Sequence, residues 1–377
     1  MRLLALILLV AAPVHATHVD DIAWACGYGG QGRDGHPDDC GIDPVGGDGV
    51  GSIGQPAWGD SWIDGSDMVL GVVVDDTAVA VPVRMLDRHE IANVDVAGVP
   101  IAITYCPLCG SGVTFARQAM IDGQAHTLSF AASGFLHRHD LVMWDAQTDT
   151  LWTQILGEPI ATLREGRAEL DHHDTRLDVI PTALASWDAW REEHPTSLML
   201  QPAEASYGNA YPGYDASCRY GISGQSDCDV EGLHPKEWVL GIRGPRGEVA
   251  VPRFAIDGVH VLAQHGVVVA QDGPAFRAFD VGRHTFSLEN RTWFDEAQNP
   301  WNLTTGMRQD GAASLEPLES LTMYWFAWQT HHPETSLWLP ADAKGALGLH
   351  DNGQLPGFTI GIVAMILVAA AFLLRRR

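Results

Sequence analysis

The sequence predicts a β-rich α+β protein made of two related repeat units, each closed by a C-terminal helix. Three observations predict it. Short runs dominated by Val, Ile and Thr are punctuated by Gly and Pro. A segment with two Trp at i and i+3 follows each set of runs. Both features recur in the same order along the chain.

The repetition has three landmarks. "MVLGVVVDDTAVAVPVRMLD" at 68–87 matches "WVLGIRGPRGEVAVPRFAID" at 238–257. "LVMWDAQTDTLWTQILGEPI" at 141–160 has a weaker echo in "RTWFDEAQNPWNLTTGM" at 291–307. "SWDAWREEHPTSLML" at 186–200 matches "YWFAWQTHHPETSLWL" at 324–339. The units therefore span 62–202 and 234–341. In the first, "MVLGVVV", "AVAVPVRML", "GVPIAITY", "VTFAR" and "HTLSFAA" read as strands. The closing helix is expected to start at Pro181-Thr182, to carry Leu184, Trp187 and Trp190 on one face, and to end at His194-Pro195. The paired Trp should pack that helix on the sheet.

The ends carry targeting signals. Residues 1–16 hold one Arg, an apolar run and a small-residue finish at "VHA", as in a secretory signal peptide. A Gly/Asp-rich segment, 17–61, precedes the first unit. A polar linker with a Cys pair, 203–233, separates the units, and a second linker, 342–355, follows them. Residues 356–377 open with "PGF", continue as an uncharged apolar run from Phe358 to Leu374 and end in three Arg. The run is short for a membrane-spanning helix, and the Arg would stay cytoplasmic. The tripartite pattern resembles the sorting signals processed by archaeosortases, which implies such an enzyme as a partner and a lipid anchor in place of the helix. The plain alternative is a permanent transmembrane helix. Either places the body on the outer face of the cell membrane.

Composition narrows the partners. Asp and Glu number 47 against 23 Lys and Arg, a net charge of −24, which disfavours nucleic acid. Lys is nearly absent, as in a salt-adapted or GC-rich archaeon. No Ser/His/Asp order, P-loop or dinucleotide fingerprint occurs, so no enzyme class follows from motifs.

Chemistry concentrates in "ITYCPLCGSG", 101–110. The second unit has "GVHVLAQHGVVVAQDGP" where the first has "RHEIANVDVAGVPIAITYCPLC". His89, Glu90, Cys106 and Cys109 are therefore dispensable for the fold. Cys106 and Cys109 admit three readings. As a knuckle between two strands they would hold zinc, iron or copper. His89 is then the leading third ligand and Met143 a soft fourth that suits copper. His137 and His139 would share a face if extended. As a low-pKa pair they would exchange disulfides. As a local disulfide they would belong to a noncatalytic surface module. Cys26 with Cys40, and Cys218 with Cys228, are expected to form disulfides closing polar loops. A composite zinc site with Cys218 and Cys228, or calcium in the acidic loops, are the lesser possibilities.

The run from "HEIAN" through "YCPLCGSGVTFAR" and "LVMWDAQTDTLWTQ", with "YGNAYPGYD", "LHPKEWVLGI" and "YWFAWQTHHPETSLW", resembles the family called domain of unknown function 3179. The resemblance covers nearly the whole mature chain. It implies His89, Glu90, Asn93, Cys106, Cys109, Ser133, Met143, Asp145, Trp152 and Gln154 as family positions. The chain departs from the usual pattern at Trp144, Thr150, His137 and His139. The resemblance brings no biochemical activity with it.

Overall fold

A computed structural model describes residues 22–24, 53–54 and 57–340, apart from 165–166, 170–171, 203–206, 209–210, 222–224, 229, 231 and 274. The protein is β-rich. Strands form several separate sheets, and the α-helices among the described residues are Val83–His89, Trp187–Glu193 and Trp325–His331. No described helix is long and apolar enough to cross a membrane. The signal-like segment 1–16, Cys26, Cys40 and the apolar run from Phe358 to Leu374 lie outside the described residues.

Two sheets have one strand order and one register. In the first, Met68–Val74 pairs antiparallel with Thr77–Pro82 on one side and Thr182–Ser186 on the other; Leu198–Leu200 then pairs in parallel with Thr77–Pro82. In the second, Trp238–Gly244 lies between Gly247–Pro252 and Ser320–Tyr324, and Ser336–Leu337 joins in parallel. Val69↔Pro82 matches Val239↔Pro252, Ser186↔Met68 matches Tyr324↔Trp238, and Leu198↔Val79 matches Ser336↔Val249.

Helices Trp187–Glu193 and Trp325–His331 pack their first-named sheets in the same way. Trp190 lies over Gly71 and Trp328 over Gly241; a Cβ at either glycine would come within 2.3 Å and 2.1 Å of the indole. Each indole N–H is satisfied, by Ser197 Oγ at 2.8 Å and Thr335 Oγ1 at 2.9 Å. A Trp buried this way removes roughly 150–250 Å2 from water, an upper bound of about 4–6 kcal/mol. The amphipathic spacing is thus a packing device, as the sequence suggested.

Two boundaries differ from expectation. Thr182–Ser186 is a strand, and the helix starts at Trp187, with Ser186 Oγ accepting from the Ala189 N–H. Ala183, Leu184 and Ala185 are taken up by pairing with Met68–Val74, and this tertiary partner outweighs their helical spacing. Val83–Leu86, expected as the end of a strand, instead opens the helix Val83–His89, since Pro82 ends the ladder. In addition, neither late helix closes its unit, because a parallel strand follows each.

The halves meet reciprocally. Ser320–Tyr324 packs on Ser111–Ala116, while Thr182–Ser186 packs on Ala275–Asp280. The largest apolar cluster runs through this contact, joining Cys106, Cys109, Met143 and Trp152 to Met323, Trp325 and Trp328.

Candidate thiolate site

The strands Val99–Cys106 and Ser111–Ala116 pair from Ile101↔Ala116 to Cys106↔Ser111. Residues 107–110 close the turn, and the Cys109 N–H donates to Cys106 O at 3.2 Å. This is the strand–turn–strand knuckle read from the sequence. Gly110 has φ +63, and a Cβ there would lie 2.9 Å from Trp238 and 3.0 Å from Tyr324. Glycine thus serves both the backbone conformation and the close approach of the second half. The Tyr324 N–H donates to Cys109 O at 2.8 Å, fastening that half to the turn.

A second hairpin delivers an acid. Phe130–His137 and Asp140–Asp145 are joined by Arg138 and His139, both at positive φ (51 and 73). The turn lays His139 O within 3.2 Å of the Cys109 thiol, which donates to it. It also places an Asp140 carboxylate oxygen and both sulfurs within 4.8 Å of one another. Exposure is 2% for Cys106, 0% for Cys109 and 1% for Asp140, and both cysteines are free thiols.

Hydrogen bonds tie Asp140 to the strands around it. Gln154 Nε2 donates to Thr104 Oγ1 (3.0 Å) and Ser111 O (3.1 Å), so Gln154 Oε1 must accept. Ser111 Oγ is 2.8 Å from that Oε1 and 3.1 Å from Asp140 Oδ1. Its single proton is shared between Gln154 Oε1 and Asp140 Oδ1, which both accept from it. Burial pushes Asp140 up to about 7, against the opposing hydrogen bonds from Ser111 and both thiols. Glu90 is likewise raised to about 7, by desolvation first and the nearby Asp140 second. Burial raises the Cys106 thiol, and raises that of Cys109 further. Burial thus makes these groups hold their protons more tightly than they would in water.

The other expected residues fall in different places. His89 ends the helix Val83–His89, and its Nε2 is 3.1 Å from the Tyr207 hydroxyl; it is not in the group formed by the two sulfurs and Asp140. Met143 is fully buried on the acid hairpin, in the same apolar cluster as the cysteines. His137 ends a strand while His139 is in the turn, so the two are not on one extended face. Cys218 and Cys228 are bonded to each other, as expected, which removes the composite zinc site. Asn93, Ser133, Asp145, Trp152 and Gln154 act as pegs. Asn93 bonds both ways with the Phe130 backbone, and Trp152 Nε1 donates to Asp145 Oδ2 at 2.9 Å.

Sequence reasoning missed Asp140, Tyr214 and Lys236. Tyr214 Oη donates to Leu108 O at 2.9 Å, inside the cysteine turn. Lys236, buried at 4% exposure, holds its ammonium 4.0 Å from the Tyr214 ring centre, and desolvation lowers it to about 8. Asp140 was recoverable in principle, since it lies in "HRHD", which the second unit lacks.

Fold and site define a β-rich protein with a buried dithiol–carboxylate group set between two similar halves. The chain belongs to the family described as protein of unknown function (DUF3179), whose model matches residues 47–335. No curated protein and no solved structure matches the chain.

Proposed function

We propose that Cys106, Cys109 and Asp140 bind one thiophilic metal ion (zinc, iron or copper) and that the protein works as a surface-anchored metal or metal-assisted redox protein. The observation that carries this is the convergence of two sulfurs and a carboxylate within 4.8 Å. Tetrahedral zinc with sulfur at about 2.3 Å and oxygen at about 2.0–2.2 Å needs ligand atoms some ~3.5–4 Å apart, a spacing this group accommodates. Two soft donors and one hard donor favour zinc or iron, and Met143 on the same hairpin favours copper. A bound cation would offset the charge exposed as the thiols and Asp140 lose protons, so affinity should rise as pH rises. A fourth position is left for Glu90, His89, water or substrate.

A second reading is thiol–disulfide exchange without metal. It is favoured by Asp140, whose carboxyl lies beside two free thiols and is raised to about 7, so that it would supply and accept a proton as the disulfide opens and closes. The wider organisation belongs to the same proposal. Matching registers support two copies of one unit, with 62–202 bearing the site and 234–341 its degenerate partner. The terminal sequences support secretion, archaeosortase-type processing and anchoring on the outer face of the membrane.

The test is elemental analysis of protein purified without a histidine tag, followed by free-thiol titration. About one equivalent of metal is expected, lost in Cys106→Ser and Cys109→Ser. Two titratable thiols and no metal would select exchange. Neither metal nor free thiols would leave a noncatalytic module.

A further inference from the structure

A large cavity lies away from the cysteines. It occupies about 680 Å3 between the halves. A second cavity of about 30 Å3 lies at the corresponding place in the other half. Gly71, Trp190 and His194 line the first, and Gly241, Trp328 and His332, their equivalents in register, line the second. The reciprocal packing of the halves creates both grooves, so what lines one is informative about the other.

Ile155 and Leu156 line the small one. They follow Trp152 and precede Gly157, which sits at φ +62. Thr304 and Thr305 hold the matching positions after Trp301, before Gly306 at φ +71. The loops are anchored alike, the Leu177 N–H donating to Gly157 O and the Leu315 N–H to Gly306 O. Thr305 is exposed and neither threonine lines the large groove. The small groove therefore has two aliphatic side chains against its Trp-lined wall, while the large groove has the Trp-lined wall without their counterparts.

We propose that the large groove binds an extended peptide segment of a partner, with two adjacent aliphatic side chains taking the place that Ile155 and Leu156 take in the twin, followed by a basic residue. The basic residue follows from charge. Arg176 is paired with Glu319 and Arg277 with Asp272. Asp178 and Glu193 on the groove wall have no ion pair among the described residues and leave it negative. Val179–Ile180, at the edge of its sheet, borders the groove and offers backbone groups to an added strand. The volume falls in the range of specific ligand sites.

The probe is synthetic acetyl-Ile-Leu-Lys-amide, titrated into the whole protein by calorimetry, with acetyl-Ser-Ser-Lys-amide as its control. Saturable one-to-one binding of the first and none of the second is expected. Ala275→Trp, on the groove wall, should weaken binding at least tenfold. Val73→Trp should do the same, and because Val73 is 43% exposed the change leaves the core intact. Glu193→Gln should weaken the Lys peptide about threefold and leave acetyl-Ile-Leu-Gln-amide unaffected. Absence of saturable binding, equal binding of the Ser-Ser peptide, or binding untouched by Val73→Trp would overturn the proposal. None of these outcomes depends on the cysteines or on metal.

Discussion

The hairpin Val99–Cys106/Ser111–Ala116 and the hairpin Val267–Asp272/Ala275–Asp280 pair residue for residue, from Ile101↔Ala116 and Val267↔Asp280 to Cys106↔Ser111 and Asp272↔Ala275. They differ at the tip. Four residues, Pro107 to Gly110, separate the strands of the first hairpin, and two separate those of the second. Asp272 stands in register with Cys106, and Cys109 has no equivalent. The site thus sits on a longer turn of a ladder that closes elsewhere without it. The strand that feeds each hairpin repeats the lesson. The Tyr105 N–H donates to Glu90 O at 2.8 Å, and the Gln271 N–H donates to Gly258 O at 2.8 Å. Both acceptors have positive φ, +57 and +79. Glycine adopts this conformation freely, so a glutamate held there beside Asp140 points to a role for its carboxyl.

The comparison breaks most directly by transplanting the tip. Replacement of residues 107–110 with Gly-Pro should abolish metal binding, at least a hundredfold in affinity, while the melting temperature shifts by less than about 5 °C. Calorimetry and metal content check both. Unfolding of that variant would mean that the long turn, fastened to Tyr324 and Tyr214, is structural in its own right.

The shared parts give the next largest effect. Gly71→Ala and Gly241→Ala each drive a methyl group into an indole and should each cost about 2–4 kcal/mol in chemical denaturation, by similar amounts. Strongly unequal losses would argue against equivalent halves.

Asp140→Asn sharpens the role of the acid. Asp140 and Glu90, with ordinary values of 3.8 and 4.5, are both raised to about 7. The folded state thus holds these protons more tightly than the unfolded chain does. The resulting stability is complete below about pH 4 and is lost as pH rises toward 7. Metal-free Asp140→Asn should flatten that loss, gaining stability at pH 8 on the order of a few kcal/mol, and should bind metal about 10–100-fold more weakly. Thermal melts across pH and metal titrations read the two effects separately. An unflattened melting profile would mean that Asp140 is ionised in the fold.

Glu90→Gly probes the smallest term. Relief of positive φ should raise stability by about 1 kcal/mol, with a lower metal affinity if the carboxyl faces the ion. A fall in stability would show that Glu90 makes a favourable contact that offsets its backbone strain.

Much of this was determined by sequence alone. Runs rich in Val, Ile and Thr, and Trp at i and i+3, specify strands and packing faces, because these are short-range steric and hydrophobic preferences; the glycine beneath each Trp came from the structure. Cys106 and Cys109 were legible for the same reason: their spacing is local, and the similar stretch later in the sequence lacks them. Tertiary structure decided the remainder. Pro82 ended a ladder and turned the expected end of a strand into the start of the helix that carries His89 toward Tyr207. Pairing with Met68–Val74 turned an expected helical start into Thr182–Ser186. Asp140 comes from a hairpin some thirty residues beyond the cysteines, and the Tyr324 that seats their turn comes from the other half of the chain. Such partners are chosen by register and burial across the fold, and no spacing within one segment encodes which distant side chain will be pressed into the same dry volume.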